Sequence, residues 1–341
     1  MKNSSITAVL PVVLMMGCEQ SDLSQGALEG NLPSQELQGF IQKVKSNLVF
    51  VEGGEFLMGD YGVQYGPERL PYDSDKDSKP LHKVELSNYS INKYKITNEE
   101  FLFYLKSRGL ELRQDVGDDF KAISTMPTTP AHMDWVEAEQ YCNWLKNISD
   151  VPFGLPTEAQ WEYAARSRGQ FLMVATDDGT YKATDDEVTE DWKDGPKGIN
   201  ISSSWDRKIF AKEMGWKTGT FTPLPVDRFP PNPLGLYSMS DNGYEWVKDW
   251  YDPNYYQYSS LKDPQGPSEP VYKDARSNHK YAKVLRGKDF ADPSWGGGVN
   301  VHRSYKSPDG TQPSVVTGMG DLLILKNKTA RCVVNHPQPI K

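Results

Sequence analysis

The 341-residue chain is poor in cysteine and histidine, and it has no stretch rich in lysine or arginine. Its 38 basic residues are outnumbered by 46 acidic ones, which gives a formal net charge of −8. Nucleic acids and anionic membrane surfaces attract basic patches, so we expect neither to be the main partner. The histidines show no spacing typical of metal ligands. We therefore predict isolated surface or core positions for His82, His132, His279, His302 and His336.

The N-terminal segment has the pattern of an export signal. Residues 1–18 combine Lys2, a mostly apolar run over residues 6–16 and a final Gly17-Cys18. The run is too short to span a bilayer, and no later segment is apolar enough to do so. The signal resembles a bacterial lipobox, which makes Cys18 the predicted lipidated first residue of the mature chain. The alternative is an ordinary cleaved signal with an incidental cysteine.

The residues after Cys18 bear on where the protein resides. Glu19 is not the aspartate associated with retention at the inner membrane. We therefore expect a periplasmic protein whose N-terminal lipid anchors it to the outer membrane and is its only membrane contact. Residues 19–47 are polar and are predicted to form a tether, with a short helix near residues 35–44. A single domain is predicted over residues 48–341.

Strands are predicted near both ends of this domain. Residues 48–59 hold two apolar runs around a Gly-Gly pair, which favours a β-hairpin. Residues 82–86 alternate like a half-buried strand, and residues 90–96 are expected to continue the same sheet. Further short strands are predicted near residues 283–286 and 329–334.

Capping residues mark the starts of three helices. Thr97 and Thr157 each stand three residues before a Glu or Gln, the pattern of a capping box. Asp134 starts the third helix, which has an apolar face at helical spacing. We expect that face to pack inward: Trp135, Ala138, Tyr141, Cys142 and Leu145.

Two segments in the middle of the chain carry a family resemblance. They read Gly154-Leu-Pro-Thr-Glu-Ala-Gln-Trp-Glu-Tyr-Ala-Ala-Arg166 and Gly235-Leu-Tyr-Ser-Met-Ser-Asp-Asn-Gly-Tyr-Glu-Trp246. They resemble the signature of formylglycine-generating (sulfatase-modifying factor) domains, and the resemblance covers residues 48–334. It implies an α+β, C-type lectin-like fold that is loop-rich, with little regular structure. The many Trp, Tyr, Gly and Pro residues also favour a loop-rich α+β fold.

Cys142 and Cys332 are the cysteines that remain once Cys18 is assigned to the lipid. Two cysteines in an exported domain most simply form one disulfide. The resemblance implies the same pairing, because the family joins the cysteine of a Tyr-Cys-x-Trp helix to the cysteine that closes the domain. Those positions correspond to Cys142 and Cys332.

The resemblance also indicates where enzymes of this family perform their chemistry. Catalytic members hold copper(I) with two thiolates, since a soft ion selects soft sulfur. Counting back from Arg303, the corresponding positions fall near Trp295 and Asn300, neither of which supplies a thiolate. We therefore predict no catalytic or cofactor-binding residues and no copper. An iron-dependent relative, the sulfoxide synthase, needs a histidine-bearing helical domain, for which residues 19–47 are too short.

The loop from Ser238 to Glu245 resembles the structural calcium site of the family. The ligands of that site correspond to Ser238, Asp241, Gly243 and Glu245. Calcium takes six to eight oxygen ligands, which a tight turn can supply. Ser238 replaces the usual Asn or Asp, which would weaken the site. The alternative is a metal-free turn held in place by tryptophan packing.

A second acidic segment imitates a calcium loop without completing it. Asp73, Asp75 and Asp77 match the first half of an EF-hand. Ser78 stands where the EF-hand needs glycine, and Val84 stands where its final glutamate belongs. We therefore predict a solvated acidic loop.

The former catalytic groove is predicted to remain a surface for binding. Aromatic and arginine side chains are enriched at interface hot spots. The alternative is that Trp295 merely fills the vacated cavity. The candidate surface residues are Phe290, Trp295, Asn300, His302 and Arg303.

These observations predict an exported, lipid-anchored, non-catalytic relative of the formylglycine-generating enzymes. It would act as a protein-binding or scaffold module with a protein partner in the bacterial envelope. Lipoproteins with this domain occur among accessory and immunity proteins of secretion systems, which is an association only. The alternative is an enzyme, either a sulfatase-activating formylglycine-generating oxidase or a divergent oxidase of the family with another metal. Cysteine content separates the two, because the oxidase mechanism needs thiols that this sequence lacks.

Overall fold

A computed structural model describes residues 34–112, 123–183, 198–275, 279–290, 297–309 and 327–341. The predicted export signal and Cys18 lie outside these residues. Within the described parts of the chain, no helix is both long and apolar enough to cross a membrane.

Helices and short strands are mixed in the first half of the chain, and short strands predominate in the second half. The first half contains α1 (Ser34–Ser46), β1 (Leu48–Val51), β2 (Gly54–Met58), α2 (Gly62–Tyr65), β3 (His82–Leu86), β4 (Tyr89–Asn92), α3 (Asn98–Ser107), α4 (Trp135–Ser149), β5 (Phe153–Gly154) and α5 (Glu158–Ala165). The second half contains α6 (Ser204–Glu213), β6 (Tyr244–Trp250), β7 (Lys273–Asp274), β8 (Lys280–Tyr281), β9 (Lys283–Arg286), β10 (Ser304–Lys306), β11 (Lys328–Thr329) and β12 (Val333–Val334).

Two four-stranded sheets organise the domain. One has the strand order β1-β4-β12-β5, and all its pairs are antiparallel. The other has the order β10-β9-β6-β11, in which β11 runs parallel to β6 and the other pairs are antiparallel. The C-terminal segment therefore supplies a strand to each sheet, and the α+β prediction is confirmed.

The predicted hairpin at residues 48–59 is wrong. β1 pairs with β4 in a four-stranded sheet, whereas β2 pairs with β3 in a separate two-stranded sheet. The chain passes between the sheets at Gly53, where a Cβ atom would lie 2.0 Å from the carbonyl oxygen of Leu86. Close backbone approach therefore explains this glycine better than a tight turn does. Because β3 and β4 lie in different sheets, residues 90–96 also do not continue the sheet of residues 82–86.

All three predicted helix starts are confirmed. Thr97, Asp134 and Thr157 are the N-cap residues of α3, α4 and α5, and each forms a capping box. The first residue of the predicted apolar face of α4, Trp135, is only partly buried. The other four residues of that face are buried: Ala138, Tyr141, Cys142 and Leu145.

The helix α1 packs onto the domain. Its Phe40 and Val44, one turn apart, are buried in the apolar cluster that also contains residues of α3 and α4. The ring of Phe40 stacks on that of Phe103, with centroids 4.2 Å apart. The folded domain therefore includes residues 34–47, the second half of the segment that the sequence predicts as a tether.

The predicted disulfide between Cys142 and Cys332 is confirmed. It ties the inner face of α4 to the segment that leads into β12, across 190 residues of sequence. In the chain-entropy account, closing so long a loop restricts the unfolded chain and contributes roughly 5 kcal/mol to stability. Both cysteines are buried and bridged, so neither offers a free thiolate.

Candidate binding cleft and the buried ion pairs beneath it

A polar cleft of about 550 Å³ is lined by four separate parts of the chain. Its exposed rim carries charged and amide groups: Asp75, Lys76, Asn254 and Gln257. Its buried floor includes Asp77, Tyr251, Asp274 and Arg303. The half-buried residues complete the lining: Pro253, His302, Ser304, Tyr305 and Lys306. A concave site with both signs of charge suits a polar or charged ligand.

A buried network of alternating charges fixes Arg303 at the floor of the cleft. Its guanidinium donates to both carboxylate oxygens of Glu158, from Nε at 2.7 Å and from Nη2 at 2.9 Å. Arg286 joins Glu158, at 2.7 Å, to Glu162, at 2.9 Å. Arg166 extends the network with a 2.8 Å contact to Glu162. None of the five side chains exposes more than 1 % of its surface.

Helix geometry brings the two glutamates of this network together. Glu158 and Glu162 lie four residues apart on α5 and therefore project from the same face. Burial alone would raise the pKa of Glu158, but Arg303 and Arg286 outweigh it and hold that pKa below its usual range. The remaining Nη1 group of Arg303 donates to the backbone carbonyls of Asp77 and Asp252. Arg303 is thus a fixed positive charge rather than a mobile arm.

The structure brings two of the five candidate surface residues to the cleft, His302 and Arg303. Asn300 is fully buried, where its amide donates to the Leu172 carbonyl at 2.9 Å and accepts from the Ser240 hydroxyl at 3.0 Å. Phe290 is half-buried and is not among the residues that line the cleft. Trp295 lies outside the described residues.

The acidic segment at residues 73–77 is not the solvated loop that the sequence predicts. Asp73 and Asp77 expose only 4 % and 6 % of their surface, whereas Asp75 is exposed. Asp77 accepts a 2.7 Å hydrogen bond from the hydroxyl of Tyr251, 174 residues away in the sequence. Asp73 Oδ2 lies 3.5 Å from Nδ1 of His302. His302 is therefore not isolated, contrary to the prediction from the sequence. Contacts between such distant residues leave no local pattern, which is why sequence reasoning missed them.

A lysine occupies the position that a cation would take in the predicted calcium loop. Nζ of Lys95 lies 2.8 Å from the carbonyl oxygen of Gly243 and 2.7 Å from Oε1 of Glu245. Glu245 also accepts from Arg331, at 2.7 and 2.8 Å, and from the indole of Trp161, at 3.0 Å. A calcium ion about 2.3–2.6 Å from both oxygens would collide with this ammonium group. The residues as arranged therefore do not fit calcium.

The other two predicted calcium ligands make protein contacts. The hydroxyl of Ser238 donates to the carbonyl of Val226 at 3.4 Å, and Asp241 accepts from the backbone N–H of Ser202 at 2.8 Å. Calcium binding at this loop is a prediction of the family resemblance alone. The observed contacts describe the alternative, a metal-free turn.

Two cations share the single carboxylate of Glu245. Burial would raise its pKa, but Arg331 and Lys95 outweigh that effect and lower it. Burial is also the main reason that the pKa of Lys95 falls to about 8. Lys95 therefore depends on Glu245 to keep its charge inside the protein.

Comparison with known proteins identifies the family. The model for the sulfatase-modifying factor enzyme 1-like domain matches residues 34–317. The formylglycine-generating enzyme of Streptomyces coelicolor is 28% identical over 284 residues, which covers 71% of this chain and 78% of that protein. A Chlamydia pneumoniae protein named serine/threonine-protein kinase pkn1 is 28% identical over 252 residues, which covers 69% of this chain and 33% of that protein. The chain therefore spans about a third of the length of this chlamydial relative.

A solved structure agrees with this assignment at the level of the fold. PvdO from Pseudomonas aeruginosa superimposes with a TM-score of 0.52 at 22% sequence identity, covering 84% of this chain and 93% of that protein. The motifs at residues 154–166 and 235–246 lie within the matched range. The chain belongs to the sulfatase-modifying factor enzyme 1-like domain family and has the formylglycine-generating-enzyme fold that its motifs predict.

Proposed function

We propose that this chain is a non-catalytic, exported member of its family that acts as a binding or scaffold module in the bacterial envelope. One chemical observation carries the proposal. Cys142 and Cys332 are bridged, and the positions near Trp295 and Asn300 hold no cysteine. Copper(I) chemistry of the kind used by catalytic members needs two free thiolates. The two thiolates that this copper chemistry needs are therefore absent from those positions.

The cleft supplies a site where a partner protein would bind. Its rim offers a negative charge from Asp75, a positive charge from Lys76 and the amide groups of Asn254 and Gln257. All four side chains are within reach of one bound segment. Its floor is held by the ion pairs of Arg303, so little ordering is needed when a ligand arrives. A rigid polar floor below an exposed rim suits binding of a polar protein segment.

A photo-crosslinking residue on the rim tests the binding role. Asn254 and Gln257 are exposed, so a substitution at either position is expected to leave the fold intact. We expect either position to give an adduct with the same envelope protein in intact cells. The same residue at Val136, an exposed position of α4 outside the cleft, is the matched control. No adduct from the rim, or the same adduct from Val136, would exclude the cleft as the binding site.

The membrane anchor is tested at Cys18. Serine cannot be acylated like the lipobox cysteine, so Cys18→Ser is expected to move the protein from the membrane fraction to the soluble periplasmic fraction. Fractionation followed by immunoblotting measures the change. Ser21→Ala, three residues further on, should stay with the membranes. If Cys18→Ser also stays there, the attachment does not depend on lipid at this cysteine.

A further inference from the structure

We propose that Asp73, Asp75 and His302 bind a divalent transition-metal ion at the edge of the cleft. One potential ligand atom from each residue lies within 4.8 Å of the others. Carboxylate oxygens and an imidazole nitrogen form a mixed ligand set, which suits zinc or manganese rather than soft copper(I). The site contains no cysteine. The proposal adds a metal ion to the proposed function, and it does not depend on whether the chain is catalytic.

The strongest argument is an oxygen of the buried aspartate that lacks a hydrogen bond of ordinary length. The side chain of Asp73 is only 3 % exposed. Its Oδ1 accepts a 2.9 Å hydrogen bond from the backbone N–H of Asp75, whereas its Oδ2 is buried without a hydrogen-bond partner. The contact from Oδ2 to His302 Nδ1, at 3.5 Å, is too long for an ordinary hydrogen bond. A buried carboxylate oxygen without a hydrogen bond of ordinary length is costly, and a cation beside His302 would offset that cost.

The neighbouring lysine does not take the place of this cation. Nζ of Lys79 donates to the backbone carbonyls of Asp73, at 2.7 Å, and Asp75, at 2.6 Å. It also lies 3.3 Å from a carboxylate oxygen of Asp60. Lys79 thus holds the backbone of the loop in shape, while the carboxylate of Asp73 turns towards His302.

The other two ligands make the site accessible. Asp75 is exposed, His302 is half-buried, and both line the cleft. Small rotations of these side chains would bring their ligand atoms to about 2.0–2.2 Å from a shared ion. The remaining coordination positions would take water or an anionic group of a molecule bound in the cleft. The ion would thereby add a positive charge to one wall of the cleft.

Metal binding by the untagged mature chain tests this site. Equilibrium dialysis against zinc or manganese, with the bound metal measured by mass spectrometry, is expected to give one ion per chain. Magnesium and calcium should not displace it, because the imidazole favours a transition metal. His302→Ala and Asp75→Asn are each expected to weaken binding at least about tenfold. His336→Ala removes a half-buried histidine outside the cleft and should leave the affinity unchanged.

The two accessible ligands keep the test clear of folding defects. Asp73→Asn alters a buried group, so His302→Ala and Asp75→Asn decide the outcome, with circular dichroism to show that both variants are folded. Failure of the wild-type chain to bind either metal would overturn the proposal. Wild-type affinity in both variants would also overturn it, because the ion would then lie elsewhere.

Discussion

Glu245→Gln is expected to destabilise the protein by about 3–5 kcal/mol, the usual cost of breaking a buried ion pair from one side. The Glu245 carboxylate is fully buried and is shared by Lys95 and Arg331. Glutamine removes the charge that both cations need, and its amide group places N–H donors against other donors. Equilibrium urea unfolding, followed by tryptophan fluorescence, measures the loss. A loss of less than about 1 kcal/mol, the range of surface pairs, would contradict the role assigned to this carboxylate.

Two controls separate the ion-pair effect from a general effect of removing a glutamate. Glu55 pairs with Lys83 at 2.6 Å, but their side chains are 57 % and 54 % exposed. Glu55→Gln is therefore expected to cost at most about 1 kcal/mol. Adding Lys95→Met to Glu245→Gln removes one of the two unpaired cations and should restore part of the lost stability. A double variant no more stable than Glu245→Gln alone would argue against the ion-pair explanation.

The same measurement bears on the predicted calcium site. The ammonium of Lys95 already contacts two of the proposed ligands. Calcium and a chelator are therefore expected to give the same unfolding curve for the wild-type protein. A ligand that binds only the native state would raise stability by about 2.7 kcal/mol at a hundredfold excess over its Kd. A rise of that size would mean that calcium displaces the lysine.

Local features of the fold were predictable because their signals lie within a few residues. The capping boxes of Thr97 and Thr157 and the apolar face of α4 each depend on neighbours one turn away. Strand partners were less predictable, since β1 and β2 are adjacent in sequence but pair with strands of different sheets. An apolar run indicates that a segment forms a strand, but it does not indicate which sheet or which partner strand that segment joins.

The site was predictable only where a family motif covers it. The motif at residues 235–246 located Glu245, but nothing near Lys95 indicated that a lysine 150 residues earlier would reach it. Spacing within residues 73–78 argued against an EF-hand but could not reveal that Asp73 lies beside His302. Pairings of this kind arise when distant loops close over the same cleft, so they become visible only in three dimensions.

The largest functional effect expected is the complete absence of formylglycine production. The oxidase chemistry of the family needs two thiolates on copper(I), and the cysteines described here are buried in a disulfide. The sequence has no cysteine between Cys142 and Cys332, so no residue near Asn300 in the sequence supplies a thiolate.

A turnover assay on the purified mature chain tests this central claim most directly. The chain is incubated with copper, oxygen and a peptide that carries a sulfatase-type cysteine, and formylglycine is measured by mass spectrometry. The Streptomyces coelicolor formylglycine-generating enzyme serves as the positive control. We expect no more product than in a reaction without protein. Product above that level that disappears on heat inactivation or in the Cys332→Ser variant would contradict the account.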